Sequence, residues 1–240
     1  MKPKRVLIVV CNKGIGDGLE ALPVFEMIQR YWPGVSLAAG SFSRGFQTDL
    51  FRRSPYIAEV VNLSGSIKDV FHAFKAVVHN VRAMRPYDAV LFLYKFERIA
   101  WPLTLAARLA GARVHYQHGY RYRDERKSTY SDFPEHIFFQ LAASSLLLGV
   151  PSPVLLPMRI SLSKEERDYA EAFFWREGLG RRPVVIINTR GIGQRDWGIQ
   201  RFALVAKKLA EAGVDVVVNG GSALQVAEFP RVGATLPKGG

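Results

Sequence analysis

Cysteine and long apolar stretches are scarce in this sequence. Cys11 is the single cysteine among 240 residues, so no intramolecular disulfide can form. Charged residues interrupt the longest apolar stretch, between Ala89 and Ala112, before it reaches the length of a membrane-spanning helix. The apolar run Arg5–Val10 is too short for a signal peptide and continues into a glycine-rich turn. We therefore predict a cytoplasmic protein with a reduced, buried thiol.

Motifs for metals and for nucleotide phosphates are also absent. The sequence has no D-x-D pair, and its histidines lack carboxylate or cysteine partners at ligand spacing, so we predict no metal site. It has no G-x-x-x-x-G-K-[ST] loop, and Leu19 stands where the third glycine of G-x-G-x-x-G would be. Signatures of helix-turn-helix, RRM and KH domains are missing, so we expect no nucleic-acid partner.

Acidic residues are too few to balance the basic ones. The chain has 33 Lys and Arg against 21 Asp and Glu, a formal net charge of +12. This excess favours anionic partners, either nucleic acid, a phosphorylated glycolipid or an anionic membrane surface, and charge alone does not choose among them. A basic surface without a partner is a further alternative. With 48% hydrophobic residues, the chain can bury the core of one large or two small domains.

Apolar runs alternate with helical patterns in the first part of the chain, which is typical of βαβ units and a parallel sheet. The predicted strands are Arg5–Val10, Val35–Ala39, Glu59–Asn62, Ala89–Leu93 and Arg113–Tyr116. The predicted helices are Leu19–Tyr31, Ile67–Met84, Pro102–Leu109 and Pro134–Leu148. We therefore predict an α/β fold whose amino-terminal, Rossmann-like domain covers residues 1–150.

A second, shorter α/β pattern follows the first. Residues 151–182 form a predicted linker and connecting helix, which starts at a capping box, Ser163–Glu166. Residues 183–240 begin the second domain. Its predicted elements are a strand at Val184–Ile187, a helix at Gln200–Ala212 and a strand at Asp215–Asn219. A Rossmann-like half usually needs well over 100 residues, so we expect this second domain to be truncated.

The glycine-rich turn after the first strand carries one carboxylate, Asp17. The turn, Gly14–Gly18, lies at the carboxyl end of a predicted parallel strand, where open α/β sheets bind ligands. Asp is also a favoured helix N-cap, and Glu20 three residues later completes a capping-box pattern. Asp17 is therefore interpreted either as a cap or as a catalytic group, and the two roles can coexist.

Several stretches of the chain follow the order of one known family. They are K-G-I-G-D-G-L-E-A-L-P from Lys13, Y-W-P-G-V-S-L from Tyr31, Y-D-A-V from Tyr87, A-R-L-A-G-A from Ala107, L-S-K-E-E-R from Leu162, and Trp197–Leu209. The chain thereby resembles the heptosyltransferases, family 9 glycosyltransferases of the GT-B fold that build the lipopolysaccharide inner core. The resemblance implies a GT-B-like pair of Rossmann-like domains, the second incomplete.

The same resemblance implies an activity and a role for Asp17. The activity is inverting transfer of heptose, or a similar sugar, from a nucleoside diphosphate donor such as ADP-heptose to the lipopolysaccharide core. The aspartate of the family's G-D turn, the proposed general base, corresponds to Asp17. No cofactor or metal is implied beyond the donor substrate. An anionic glycolipid acceptor implies a peripheral position on the cytoplasmic membrane surface.

Candidate donor-binding residues lie after the first strand of the second domain. Asn188, Thr189 and Arg195 belong to the loop that holds the donor diphosphate in the family, where Arg195 stands in place of a lysine. Gln225 stands near the position of an acidic residue that binds the nucleotide ribose in relatives. An ordinary basic surface loop is the alternative interpretation.

Candidate acceptor-binding residues lie in the first domain. Gly16 belongs to the G-D turn, and Arg98 matches a basic position of the family, although Phe92–Lys95 replaces the usual D-x-Q-G before it. Arg121, Arg123 and Arg126 share a tyrosine-rich loop that suits a phosphorylated sugar or single-stranded nucleic acid, or is simply solvated. Two alternatives to an enzyme stay open: a truncated relative that keeps only acceptor binding, and a nucleic-acid-binding α/β protein.

Overall fold

The computed structural model of the protein describes residues 2–10, 15–42, 45–64, 70–93, 100–116, 135–150, 153–189 and 197–219. The chain divides into two compact units, Met1–Ser161 and Leu162–Gly240. Each unit has its own parallel sheet, which among the described residues has five strands in the first unit and two in the second. The predicted α/β fold is therefore confirmed.

The first unit contains a five-stranded sheet in which all neighbouring strands are parallel. Its strands are β1 (Arg5–Val10), β2 (Ser36–Ser41), β3 (Glu59–Asn62), β4 (Ala89–Leu93) and β5 (Arg113–Tyr116). Four of these strands have the predicted bounds, and β2 lies slightly later along the chain. β1 and β4 are buried on both faces and appear in the sequence as apolar runs, which explains the agreement for these two strands.

The helices of the first unit connect these strands. They are α1 (Ile15–Tyr31), α2 (Phe46–Arg52), α3 (Val70–Met84), α4 (Ala100–Leu109) and α5 (Glu135–Ala143), the last continued by a π-helical turn, Ser144–Leu148. Sequence patterns did not predict α2. It has seven residues, and its N-cap, Gly45, makes no side-chain capping hydrogen bond, so neither periodicity nor a cap signals its start.

Two apolar layers enclose the sheet of the first unit. The side chains of Val6, Ile8 and Val10 pack with α1, α2 and α5, whereas Leu7 and Val9 pack with α3 and α4. Successive residues of a strand point to opposite faces, so β1 contributes to both layers. The doubly covered sheet is the arrangement expected of βαβ units.

Part of the predicted linker is fixed to the first unit. The Leu156 amide donates to Gln140 Oε1 over 2.6 Å, and Gln140 Nε2 donates to the Leu156 carbonyl over 2.9 Å. Both side chains are buried, and the Val154 amide donates to the Tyr31 hydroxyl over 3.3 Å. Because these bonds hold the extended segment on α1 and α5, the boundary between the units follows Ser161.

The second unit is smaller. It contains α6 (Lys164–Arg176), β6 (Val184–Asn188), α7 (Ile199–Glu211) and β7 (Asp215–Asn219). The predicted capping box is confirmed, because the Glu166 amide donates to Ser163 Oγ and the Ser163 amide donates to the Glu166 carboxylate. The two strands pair in parallel from Val184 and Asp215 to Asn188 and Asn219.

Gly40 provides the first test of this packing. A Cβ atom at Gly40 would lie 2.8 Å from Leu63 Cδ1 and 3.1 Å from Val9 Cγ2. We expect Gly40→Ala to lower the free energy of unfolding by about 1–3 kcal/mol, because overpacking strains a buried layer. Gly16→Ala is the control, because among the described residues its added methyl group would meet no atom within 4 Å beyond its chain neighbours and the backbone of its own helix. Urea unfolding measures both, and equal stability of the two variants would contradict the packing argument.

Asp88 provides a second test, through pH. Its Oδ2 accepts hydrogen bonds from the Arg5 amide over 3.0 Å and the Lys4 amide over 2.7 Å, and these bonds hold the pKa of Asp88 below its usual value. The resulting stabilisation is present above the unfolded-state pKa, about 4, and is lost as pH falls through the folded-state value. We expect Asp88→Asn to lower the free energy of unfolding at pH 6. The difference in this free energy between the variant and the unsubstituted chain should narrow at about pH 3. Urea unfolding of both proteins at both pH values checks this, and a difference that stays constant with pH would refute it.

Candidate active site

The carboxyl edge of the first sheet places Asp17 next to the central strand. β1 ends at Val10 and α1 begins at Ile15, so the first turn of α1 lies just beyond the end of β1. The chain order reverses between β1 and β4, because β2 and β3 lie on one side of β1 and β4 and β5 on the other. Ligands of open α/β sheets bind at such a switch point, outside the carboxyl ends of the strands.

Asp17 lies inside α1 and does not cap it. The helix begins at Ile15, three residues earlier than an N-cap at Asp17 requires, so the interpretation of Asp17 as the N-cap is wrong. The half-buried carboxylate instead occupies the first turn, where the positive end of the helix dipole stabilises a negative charge. Sequence periodicity began only at Leu19 because Ile15 is exposed and Gly16 and Gly18 have no side chain that could extend the apolar stripe.

Two glycines beside Asp17 have different surroundings. A Cβ atom at Gly16 would meet nothing within 4 Å, so this position leaves open space beside the carboxylate. A Cβ atom at Gly18 would lie 3.0 Å from Gln47 Cγ and 3.2 Å from Leu50 Cδ2. Gly18 therefore allows α2 to approach the first turn of α1 closely, whereas Gly16 keeps room for another molecule. A role of Gly16 in acceptor binding remains a prediction.

A buried polar pair supports this turn. Ser41, the last residue of β2, donates its hydroxyl to Gln47 Oε1 over 2.9 Å, and both residues are almost completely buried. Gln47 is also the residue that limits space at Gly18. The pair links the end of β2 to α2 and α2 to the first turn of α1. Sequence analysis missed it because α2 itself carried no signal.

The second unit places two predicted donor residues at the carboxyl edge of its sheet. Asn188 ends β6 opposite Asn219, which ends β7. The Thr189 amide donates to the Asn219 carbonyl over 3.0 Å, and the Thr189 hydroxyl lies 3.4 Å from the same oxygen. Because the amide already completes the strand pairing, the hydroxyl is the Thr189 group that can turn to a ligand.

The start of α7 is held by an aromatic contact. The rings of Trp197 and Phe202 pack edge to face with centroids 5.2 Å apart. Since Gly198 is the N-cap, these residues occupy the N′ and N4 positions of a hydrophobic staple, which sets the angle at which the chain enters a helix. Two other predicted donor residues, Arg195 and Gln225, lie outside the described residues. Four predicted acceptor residues do so as well: Arg98, Arg121, Arg123 and Arg126.

A separate cleft of about 110 Å³ lies between α1, α2 and the extended segment before Ser161. Glu26 lines it, with its carboxylate almost fully buried and paired to the Arg30 guanidinium over 2.6 Å. Asp17 does not line this cleft. The candidate site at the carboxyl edge of the first sheet is therefore identified by the strand order and by the position of Asp17. It is not identified by the presence of a cleft.

Metal clusters and membrane-spanning helices are not found in the described ranges. Within them, no group of three or more His, Cys, Asp or Glu side chains is placed to hold a metal ion. Among the same residues, no helix combines the length and apolar character that crossing a bilayer requires.

The fold is similar to that of solved glycosyltransferases, although no family model and no curated protein matches the sequence. A glycosyl transferase family 9 protein from Veillonella parvula DSM 2008 matches with a TM-score of 0.69 and 17% identity, over 97% of this chain and 69% of its own. ADP-heptose LPS heptosyltransferase II from E. coli matches with a TM-score of 0.59 and 20% identity, over 95% of this chain and 66% of its own.

A third similar structure is E. coli heptosyltransferase WaaC, solved with ADP-2-deoxy-2-fluoro heptose. It matches with a TM-score of 0.60 and 18% identity, over 98% of this chain and 76% of its own. The chain thus spans 66% to 76% of the length of these three proteins. These structural matches confirm the predicted GT-B-like fold and the resemblance of this fold to that of heptosyltransferases.

Proposed function

We propose, from this glycosyltransferase fold and the carboxylate at its first sheet edge, that the protein is an inverting glycosyltransferase. Its substrates are a nucleoside diphosphate sugar, of which ADP-heptose is the leading example, and the lipopolysaccharide core. The observation that carries the proposal is the position of Asp17, in the first turn of α1 beyond the end of the central strand. Two of the similar structures are E. coli heptosyltransferases, which supports the choice of sugar.

In this proposal Asp17 is the general base. An acceptor hydroxyl oxygen attacks the anomeric carbon while its proton passes to the Asp17 carboxylate. The bond between the anomeric carbon and the diphosphate breaks on the opposite face, so configuration inverts and a nucleoside diphosphate leaves. The open space at Gly16 would admit the acceptor beside the carboxylate. Donor and acceptor together supply every atom of the two products, and the proposal includes no cofactor or metal.

The second unit would hold the donor. The Thr189 hydroxyl, at the carboxyl edge of β6 and β7, can donate to a phosphate oxygen in place of its long contact with the Asn219 carbonyl. Asn188 and the Arg195 guanidinium would add further donors, and Gln225 would bind the ribose. Charge that develops on the leaving diphosphate is stabilised by such fixed donors, which is how this loop would contribute to the rate.

The acceptor side would bind an anionic glycolipid. Arg98, Arg121, Arg123 and Arg126 supply cations for its phosphate groups, and the net charge of +12 favours such a partner. A lipid-linked acceptor places the protein peripherally on the cytoplasmic membrane surface. The proposal expects no nucleic-acid partner.

Replacement of Asp17 tests the catalytic assignment. We expect Asp17→Asn to lower kcat by roughly 100-fold or more, because the amide cannot accept the acceptor proton. Donor affinity and stability should change little, since loss of one first-turn charge costs at most about 1 kcal/mol. Transfer from ADP-heptose to core oligosaccharide, followed by chromatography, measures kcat, and calorimetry with ADP measures donor affinity.

Glu20→Gln is the matched control, because it removes a carboxylate one turn later on the same helix. Its kcat should stay within about threefold of the unsubstituted chain. Equal kcat values for the Asp17 and Glu20 variants would refute Asp17 as the base. Acceptor binding without any transfer by the unsubstituted chain would instead favour the relative that keeps only acceptor binding.

Replacement of Thr189 tests the donor site separately. We expect Thr189→Val to weaken ADP binding roughly tenfold or more, because it removes a hydrogen bond to a charged group. The backbone bond to the Asn219 carbonyl stays, so the strand pairing should persist. Thr189→Ser keeps the hydroxyl and should bind ADP like the unsubstituted chain in calorimetry. ADP binding by the valine variant at unsubstituted affinity would exclude the hydroxyl from the donor site.

A further inference from the structure

The cleft between α1, α2 and the segment 157–161, which we term the α1–α2 cleft, has a charged side chain in its wall. Glu26 on α1 lines it, and the side chain of Glu26 is only 8% exposed. Its Oε1 accepts a hydrogen bond from the Arg30 guanidinium over 2.6 Å. The two oxygens of a carboxylate offer about four acceptor positions, so one such bond leaves Glu26 able to accept others.

The second oxygen of Glu26 is the acceptor that the cleft can use. Among the described residues, the hydrogen bond and the ion pair of Glu26 both involve Oε1. No buried side-chain oxygen or nitrogen in the same part of the chain lacks a hydrogen-bond partner, so Oε2 is not sealed inside the protein. Because Glu26 lines the cleft, Oε2 can accept a hydrogen bond from a hydroxyl group that enters there.

The segment after Leu156 brings a cation to the same cleft. Arg159 is exposed, lines the cleft, and takes part in none of the ion pairs between described residues. Leu156, three residues earlier, is fixed by its two hydrogen bonds to Gln140, so the segment leaves a fixed point. A guanidinium binds a carboxylate through two parallel hydrogen bonds. Glu26 and Arg159 thus give the cleft one acceptor and one cationic donor.

Apolar side chains form much of the remaining wall. Pro23, Pro55 and Pro157 line the cleft, together with Leu22 and Leu50. Proline rings lose almost no conformational entropy when a ligand packs on them. The volume is about 110 Å³. A closed cavity of about 150 Å³ takes benzene, so this open cleft suits a molecule of roughly five to seven non-hydrogen atoms.

We propose that the α1–α2 cleft binds a small hydroxy acid, a molecule with a carboxylate and a nearby hydroxyl on a short carbon chain. The ligand carboxylate pairs with the Arg159 guanidinium, and the ligand hydroxyl donates to Oε2 of Glu26. The Ser54 hydroxyl also lines the cleft; its oxygen accepts from the Tyr56 amide over 3.4 Å, and its proton is available to the ligand.

This site is separate from the candidate active site. Asp17 does not line the cleft, and Glu26 follows it by nine residues on α1, which is roughly 13 Å along the helix axis. The inference therefore does not depend on sugar transfer, and either proposal can fail without the other.

Charge and size favour a hydroxy acid over other classes of ligand. A cation gains little, because Arg30 already neutralises Glu26 and Arg159 adds a positive charge to the cleft. An apolar molecule would displace water from Oε2 without replacing its hydrogen bond, which lowers affinity. An uncharged polyol would leave the guanidinium without an anion. Nucleotides exceed the volume, since pockets for ligands of their size measure about 300–1,000 Å³.

A titration followed by nuclear magnetic resonance tests the proposal. The full chain, labelled with ¹⁵N, is titrated at about pH 7, where carboxylates are ionised, with glycerate, propionate or glycerol. We expect glycerate to shift the amide signals of Tyr56, Arg159 and Ser161 and to saturate with a Kd of roughly 1 mM. Propionate lacks the hydroxyls and glycerol lacks the carboxylate, so each should bind roughly tenfold more weakly or worse.

Substitutions separate the two polar contacts. Arg159→Gln should weaken glycerate binding roughly tenfold or more and leave glycerol binding unchanged. Arg201→Gln is the matched control, because it removes an exposed arginine from α7, and it should bind glycerate within about twofold of the unsubstituted chain. In Glu26→Gln, Arg30 retains the amide oxygen and the amide nitrogen cannot accept a hydroxyl proton, so the preference for glycerate over propionate should disappear. The spectrum of each variant verifies that it is folded.

Three outcomes would overturn the proposal. The first is equal affinity of the unsubstituted chain for glycerate and propionate, or no saturable shift with glycerate up to about 20 mM, which is well above the expected Kd. This comparison needs no variant, so it stands even if Glu26→Gln does not fold. The second is an equal loss of glycerate binding in Arg159→Gln and Arg201→Gln, which would mean that net charge alone attracts the anion. The third is a set of glycerate shifts centred on Thr189, which would place the ligand in the second unit.

Discussion

Complete burial of the central strand is the constraint on which the first unit depends. The side chains of Val6–Val10 on β1 are fully buried, alternately in the two layers of helices. At about 2 kcal/mol for each buried aliphatic side chain, their contribution is roughly 10 kcal/mol, which is comparable to the net stability of a domain. The chain leaves β1 at Val10, and α1 begins at Ile15. The buried position of β1 therefore fixes the region in which α1 begins and in which Asp17 lies.

Close packing of strands and helices near the carboxyl end of β1 depends on two glycines and on a buried pair of polar side chains. Gly40 lets β2 lie against Val9 and Leu63, and Gly18 lets α2 lie against the first turn of α1. The bond between Ser41 and Gln47 satisfies two polar groups that these approaches bury. The carboxylate of Asp17 is thus presented from a helix whose first turn packs against α2. A fixed support of this kind is what the proposed role of Asp17 as a base would require, because a base must meet a hydroxyl at a fixed distance.

The two faces of the first unit's sheet are covered by different helices. The layer of α1, α2 and α5 buries Phe25, Phe51 and Phe139 completely. The layer of α3 and α4 buries Met84, Leu103 and Ala106 on the other face. The candidate site at Asp17 therefore belongs to one of the two layers, the one that contains α1 and α2.

Local and periodic features of this protein were readable from its sequence, and contacts between distant segments were not. The bounds of β1 and β4 followed from apolar runs because buried parallel strands have no polar side. The start of α6 followed from Ser163 and Glu166 because a capping box spans only four residues. The placement of Asp17 and Thr189 at strand ends followed in the same way, from the order of strands and turns. Tertiary packing decided the rest. It formed α2 without a sequence signal, paired Ser41 with Gln47, and held Leu156 on Gln140. These features depend on partners brought together by the folded sheet, and neither propensity nor spacing along the chain encodes such distances.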